Sequence, residues 1–91
     1  MKQLHLTIHG KVQGVFFRET AKEKAEELGL VGYVKNMPDR SVEVVAQGNE
    51  DALKKMLEWC RIGTQWAKVE QVDEVWMDVG SAEFGEFKIV W

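Results

Sequence analysis

Residues 4–36, LHLTIHGKVQGVFFRETAKEKAEELGLVGYVKN, contain the change of hydrophobic period on which the fold turns. Over residues 4–8 apolar and polar positions alternate strictly, with Leu4, Leu6 and Ile8 on one face and His5, Thr7 and His9 on the other. A period of two predicts a half-buried strand. Two histidines four apart on a strand share a face but stand too far apart to pinch one metal ion, so both are expected at the surface. After the glycine-punctuated residues 10–14 the period lengthens, and Phe17, Ala21, Ala25 and Leu28 recur at helical spacing. Glu19, Lys22, Glu23, Lys24, Glu26 and Glu27 take the exposed side. Gly29 is placed to close the helix in a left-handed conformation, with Leu30 behind it for the accompanying apolar contact. Residues 31–36 return to an extended pattern.

Working outward, residues 41–47 make a second strand, joined to 31–36 through the turn-forming Met37, Pro38, Asp39 and Arg40. In it Val42, Val44 and Ala46 alternate with Glu43, Val45 and Gln47, the latter set facing outward. Gly48 breaks the strand, and Asn49 can cap a helix whose first turn carries Glu50 and Asp51. Leu53, Met56, Leu57 and Cys60 mark its buried stripe, Arg61 falls in the last turn and Gly63 closes it. Residues 69–79 read as a longer, less regular strand, residues 80–85 as a polar loop, and residues 86–90 as a short final strand with Phe87 and Ile89. The order β-α-β-β-α-β plus a short extra C-terminal strand predicts an α+β, ferredoxin-like sandwich. Its sheet is mostly antiparallel and both helices lie on one face. Residues 1–91 are expected to form a single domain.

Composition narrows the function classes. At 91 residues, 45% hydrophobic and 30% charged, the chain is an ordinary globular sequence with too many aliphatics for disorder. A chain this size buries roughly 60–65% of its unfolded surface, enough for one two-layer core but not for a separate cofactor domain. No apolar run approaches the ~18 residues of a membrane span, and the alternating N-terminus lacks a signal-peptide core. The one cysteine, Cys60, cannot form an internal disulfide, nor can it anchor zinc with two histidines. It is expected to be a small core residue, and a cytoplasmic setting follows.

A net charge of −3 argues against a nucleic-acid partner. An RNA-binding sandwich would also need exposed aromatics and a basic sheet face, where residues 41–47 offer Glu43, Val45 and Gln47. The charge is uneven, however. Residues 1–18 hold Lys2, Lys11 and Arg18 and no carboxylate, whereas residues 49–91 hold nine acidic and five basic side chains. A carboxylate-free opening leaves room for an anion.

The join between the first strand and the first helix is where chemistry would sit. A glycine-bearing loop entering a helix presents unpaired N–H groups at the positive end of the helix dipole. Arg18 adds a fixed cation with a forked donor geometry suited to phosphate, and Phe16 with Phe17 is expected to anchor the loop to the core. On spacing alone a plain surface loop with a surface arginine satisfies the same pattern. Asn36, two residues before Pro38, alone reads as a turn residue.

GKVQGVFFR at residues 10–18, followed by A-x-x-L-G-L-x-G-Y-V-x-N at 25–36, resembles the acylphosphatase family. The likeness continues through VEVVAQG at 42–48 and, more loosely, GTQWAKV at 63–69 and FKIVW at 87–91. It implies the βαββαβ fold and hydrolysis of the carboxyl–phosphate bond of small acyl phosphates, with no metal and no cofactor. It also implies that Gln13, Gly14, Val15, Phe16, Phe17 and Arg18 form the phosphate-binding loop, with backbone amides and the Arg18 guanidinium holding the phosphate. Asn36 matches the asparagine that positions the attacking water, which makes Arg18 and Asn36 the catalytic pair. Inorganic phosphate or sulfate should then compete with substrate, and a monomer with no nucleic-acid or membrane partner is expected.

The alternative is a non-catalytic phosphate- or carbamoyl-phosphate-binding module on the same fold, against which the retention of both Arg18 and Asn36 speaks. Departures from the family pattern are Phe16 where a small residue is frequent, Tyr33 for a common tryptophan, Arg40 for a turn glycine and Thr64 for a frequent proline. The Val90-Trp91 ending departs as well. Glu19 would repel an anionic substrate and is expected to point away from the loop.

Overall fold

The computed structural model describes residues 1–90, so the Trp91 end of the FKIVW match lies outside the described residues. The elements follow the predicted order: β1 (Lys2–Lys11), α1 (Phe17–Glu27), β2 (Val31–Asn36), β3 (Val42–Gly48), α2 (Glu50–Ile62), β4 (Lys68–Asp78) and β5 (Phe87–Val90). They form one sheet in the order β4-β1-β3-β2-β5. Every neighbouring pair is antiparallel except β2 with β5, which is parallel. The helices cover one face, α1 packing over β2 and β5 and α2 over β1 and β4.

The core is what the two periods dictate. Leu4, Leu6 and Ile8 from β1 lie opposite Ala46, Val44 and Val42 from β3, all fully buried. Phe17, Ala21 and Ala25 close over them from α1, and Leu53, Met56 and Cys60 from α2. Alanines on the α1 stripe let that helix lie close to the sheet. It stops where a left-handed Gly29 (φ 69°) lets the Leu30 N–H reach the Ala25 carbonyl at 2.9 Å and the Gly29 N–H reach that of Glu26 at 3.1 Å. At the start of α2 the Asn49 side-chain oxygen accepts from the Ala52 N–H at 2.8 Å.

Two departures have physical causes. The less regular strand is an edge strand with a bulge: its register on β1 shifts between His9 and Gly10, so that Glu70 has no opposite residue. Gly10 sits at that shift with φ 123°, where a Cβ would stand 2.1 Å from the Lys68 carbonyl oxygen. The second departure concerns β3. Val45 and Gln47 do face away from the helices, yet they are only 7% and 1% exposed. The connection from β4 to β5 folds over them, with the Glu83 N–H donating to Gln47 Oε1 at 2.8 Å and the Phe84 ring edge-on to Tyr33 at 5.9 Å.

Direction matters most for the site. β1 and β2 both pair antiparallel with β3, so they run the same way and end at the same edge of the sheet. Ile8 and Asn36 flank the same residue, Val42. The loop after β1 and the last residue of β2 are thereby brought together.

Candidate active site

Leaving β1, the chain turns through two left-handed residues, Gly14 (φ 73°) and Phe16 (φ 61°), before α1 begins at Phe17. Left-handed residues alternating with ordinary ones aim successive amides toward one side, the geometry of an anion-binding nest. Phe16 has no side chain able to cap the helix, and no side-chain cap is present. The first intrahelical bond runs from the Thr20 N–H to the Phe16 carbonyl at 3.2 Å. The N–H groups of Phe17, Arg18 and Glu19 therefore have no partner within the helix and lie at the positive end of its dipole.

These groups border a cavity of about 140 Å³ lined by Val12, Gly14, Phe16, Phe17, Arg18, Glu19 and Asn36. Asn36 enters it from the end of β2, and its side-chain oxygen is buried and receives no hydrogen bond from the described residues. Buried polar atoms are nearly always partnered, so an acceptor left open on a pocket wall is available to a water or a ligand. A guanidinium, a row of helix-start amides and an orphan acceptor together suit an anion with a water beside it.

The residues singled out from the sequence divide into groups. Arg18, Asn36, Gly14, Phe16 and Phe17 meet on the one cavity. Gln13 does not line it: its side-chain amide donates to the carbonyls of Met37 and Ser41 at 2.9 and 3.0 Å, lashing the loop to the hairpin that follows Asn36. Val15 turns its side chain into the core, and its carbonyl accepts the Thr64 hydroxyl at 2.7 Å. Phe17 is buried against Trp59 with ring centroids 5.1 Å apart. Phe16 corrects the expectation of an aromatic pair anchoring the loop, because it is 60% exposed and rests edge-on against Trp66 at 5.5 Å. At the third helical position Glu19 borders the cavity, where its N–H is one of the helix-start groups without a partner in the helix, and the residue is exposed. Thr64 and Trp66 were missed as parts of the site, since a loop forty-six residues beyond Arg18 carries no local signal of where it lands.

The departures at Arg40 and Tyr33 are also accounted for. Arg40 adopts φ 75°, so the turn keeps the left-handed conformation that glycine would supply at lower strain. On the face away from the helices, the Tyr33 hydroxyl donates to Glu43 at 2.7 Å, and His5 meets the other Glu43 oxygen at 3.0 Å. Cys60 is a buried core residue whose thiol pKa is pushed far up by burial, which makes it a poor nucleophile.

Comparison with known proteins agrees over nearly the whole length. The family model described as Acylphosphatase matches residues 4–89. The acylphosphatase of Methylococcus capsulatus is 44% identical, the match covering 99% of this chain and 97% of that protein. The acylphosphatase of Pyrobaculum aerophilum is 46% identical, with 99% and 95% covered. The crystal structure of acylphosphatase from Bacillus subtilis superposes with a TM-score of 0.92 at 35% identity, covering all of both chains.

Proposed function

The chain belongs to the acylphosphatase family and is an acyl phosphate hydrolase, and from that premise we propose that Arg18 and Asn36 are its catalytic residues. In this reading the amides of residues 13–18 and the Arg18 guanidinium grip the phosphoryl oxygens. The observation that carries it is the buried, unpartnered Asn36 side-chain oxygen on the wall it shares with Arg18. As an acceptor it takes an O–H from water and leaves the water's lone pair directed at phosphorus. The phosphorus–oxygen bond to the acyl group breaks, carboxylate leaves with the electron pair, and the water proton passes to a phosphoryl oxygen. Carboxylate is a good leaving group, so the site supplies charge stabilisation and alignment rather than an acid.

Metal-independent hydrolysis belongs to the same proposal. In support, no three His, Cys, Asp or Glu side chains converge on a metal site among the described residues. We also propose that residues 1–91 act as one domain and as a monomer. The cytoplasm is its setting in this reading, consistent with the one unpaired cysteine and with no described helix being long and apolar enough to cross a membrane.

The test separates the two residues by role. Inorganic phosphate, and sulfate likewise, should inhibit competitively. Arg18→Gln should weaken that inhibition and lower kcat, since charge-assisted hydrogen bonds of roughly 1.5–3 kcal/mol act in both ground and transition states. Asn36→Ala should lower kcat by about a hundredfold or more while phosphate binds almost as before. An Asn36→Ala enzyme that lost phosphate inhibition but kept its kcat would sink the water-positioning role.

A further inference from the structure

The cavity that holds Arg18 and Asn36 has about 140 Å³, room for a phosphoryl group and a water, so the acyl group must lie at its mouth. Phe16 stands there. It lines the cavity yet is 60% exposed, and its φ of 61° is a conformation that bulky residues avoid. Glycine would give the loop its left-handed turn without strain or exposed apolar surface, so the turn explains the backbone but not the ring.

Trp66, 56% exposed, meets Phe16 edge-on with ring centroids 5.5 Å apart. Its loop is fastened to the phosphate loop, because the Thr64 hydroxyl donates to the Val15 carbonyl at 2.7 Å and the Ala67 N–H closes a turn on the Thr64 carbonyl at 3.0 Å. Single exposed apolar residues are ordinary; two large aromatic rings in contact beside a reaction pocket form a surface for something flat and apolar.

We infer that Phe16 forms the wall against which the acyl group of the substrate lies, with Trp66 as the positioning residue behind it. The enzyme thereby favours acyl phosphates with a flat, apolar acyl group over small ones. The inference rests on the placement of the phosphoryl group in the 13–18 loop.

The experiment compares kcat/KM for benzoyl phosphate and acetyl phosphate in the unsubstituted enzyme, Trp66→Ala and Trp66→Phe, with inorganic phosphate as competitive inhibitor throughout. In Trp66→Ala the benzoyl-to-acetyl ratio should fall about three- to tenfold, the range of one aromatic contact, mainly through KM for benzoyl phosphate. Trp66→Phe should restore most of it, and the phosphate inhibition constant should stay within about twofold. An unchanged ratio overturns the inference. So does an equal loss on both substrates together with weaker phosphate inhibition, which would make Trp66 a prop for the loop alone. Phosphate that fails to compete in the unsubstituted enzyme overturns the phosphoryl placement first and the acyl wall with it.

Discussion

Thr64 holds together two loops that share no local sequence. Its hydroxyl donates to the Val15 carbonyl at 2.7 Å, while Gln13 ties the same loop after β1 to the hairpin beyond Asn36. The loop between β1 and α1 is thus strapped from both sides by hydrogen bonds between neutral groups. Proline, the residue frequent at this position in the family the sequence resembles, stiffens a turn but donates nothing to Val15. Thr64→Val keeps the shape and removes the donor. It should lower unfolding stability by about 1 kcal/mol, read from the urea midpoint at unchanged slope. Because Trp66 rides on the same loop, kcat/KM should fall as well. A variant as stable as the parent would show that Val15 finds another donor.

At the scale of elements, caps and periods carry the fold. Asn49 begins α2 with its side-chain oxygen on the Ala52 N–H, and Glu50 and Asp51 in the first turn favour the helix dipole. Asn49→Ala should cost about 1 kcal/mol and lower Tm by roughly 4–8 °C, measurable by calorimetry. No loss of activity is expected, since α2 does not line the cavity shared by Arg18 and Asn36. These elements were legible because each buries one face, and burial imposes a period of two on β1 and of 3.6 on α1 and α2. β4 was less legible, because an edge strand with a bulge at Glu70 loses its alternation. Alternation on β3 told which way Val45 and Gln47 face, but not that residues 80–86 would cover them, since period reports direction and not what arrives from elsewhere. The site divides the same way. The motif singles out Arg18 and Asn36 as candidates, whereas their meeting on one cavity depends on β1 and β2 running parallel on either side of β3. The strained, exposed setting of Phe16 is a tertiary fact with no local signal.

For the whole molecule, the face of the sheet away from the helices is an electrostatic layer separate from the edge that carries Arg18 and Asn36. Glu43 is its centre, accepting from Tyr33 at 2.7 Å and meeting His5 at 3.0 Å. Partial burial opposes its charge, but the hydrogen bonds from Tyr33 and His5 outweigh burial and hold its pKa below the ordinary 4.5. Tyr33 moves the other way: burial first, then the bond to Glu43, pushes its pKa from 10.0 up to about 12. The signs follow from linkage. A lowered carboxylate contributes stability that is present above pH 4.5 and lost as pH falls through its folded value. A raised phenol contributes stability that is full below pH 10 and lost as pH rises toward 12. Unfolding free energy measured by denaturant from pH 3 to 12 should therefore slope downward at both ends. Glu43→Gln should flatten part of the acid limb, the remainder belonging to exposed carboxylates such as Asp73 and Asp78, whose pKa values hydrogen bonds also lower. Tyr33→Phe should flatten the alkaline limb by about 1–2 kcal/mol between pH 10 and 12, less than the full linkage value because solvent screens the site. An alkaline limb identical in the parent and Tyr33→Phe would mean that the surroundings of Tyr33 do not hold the phenol proton.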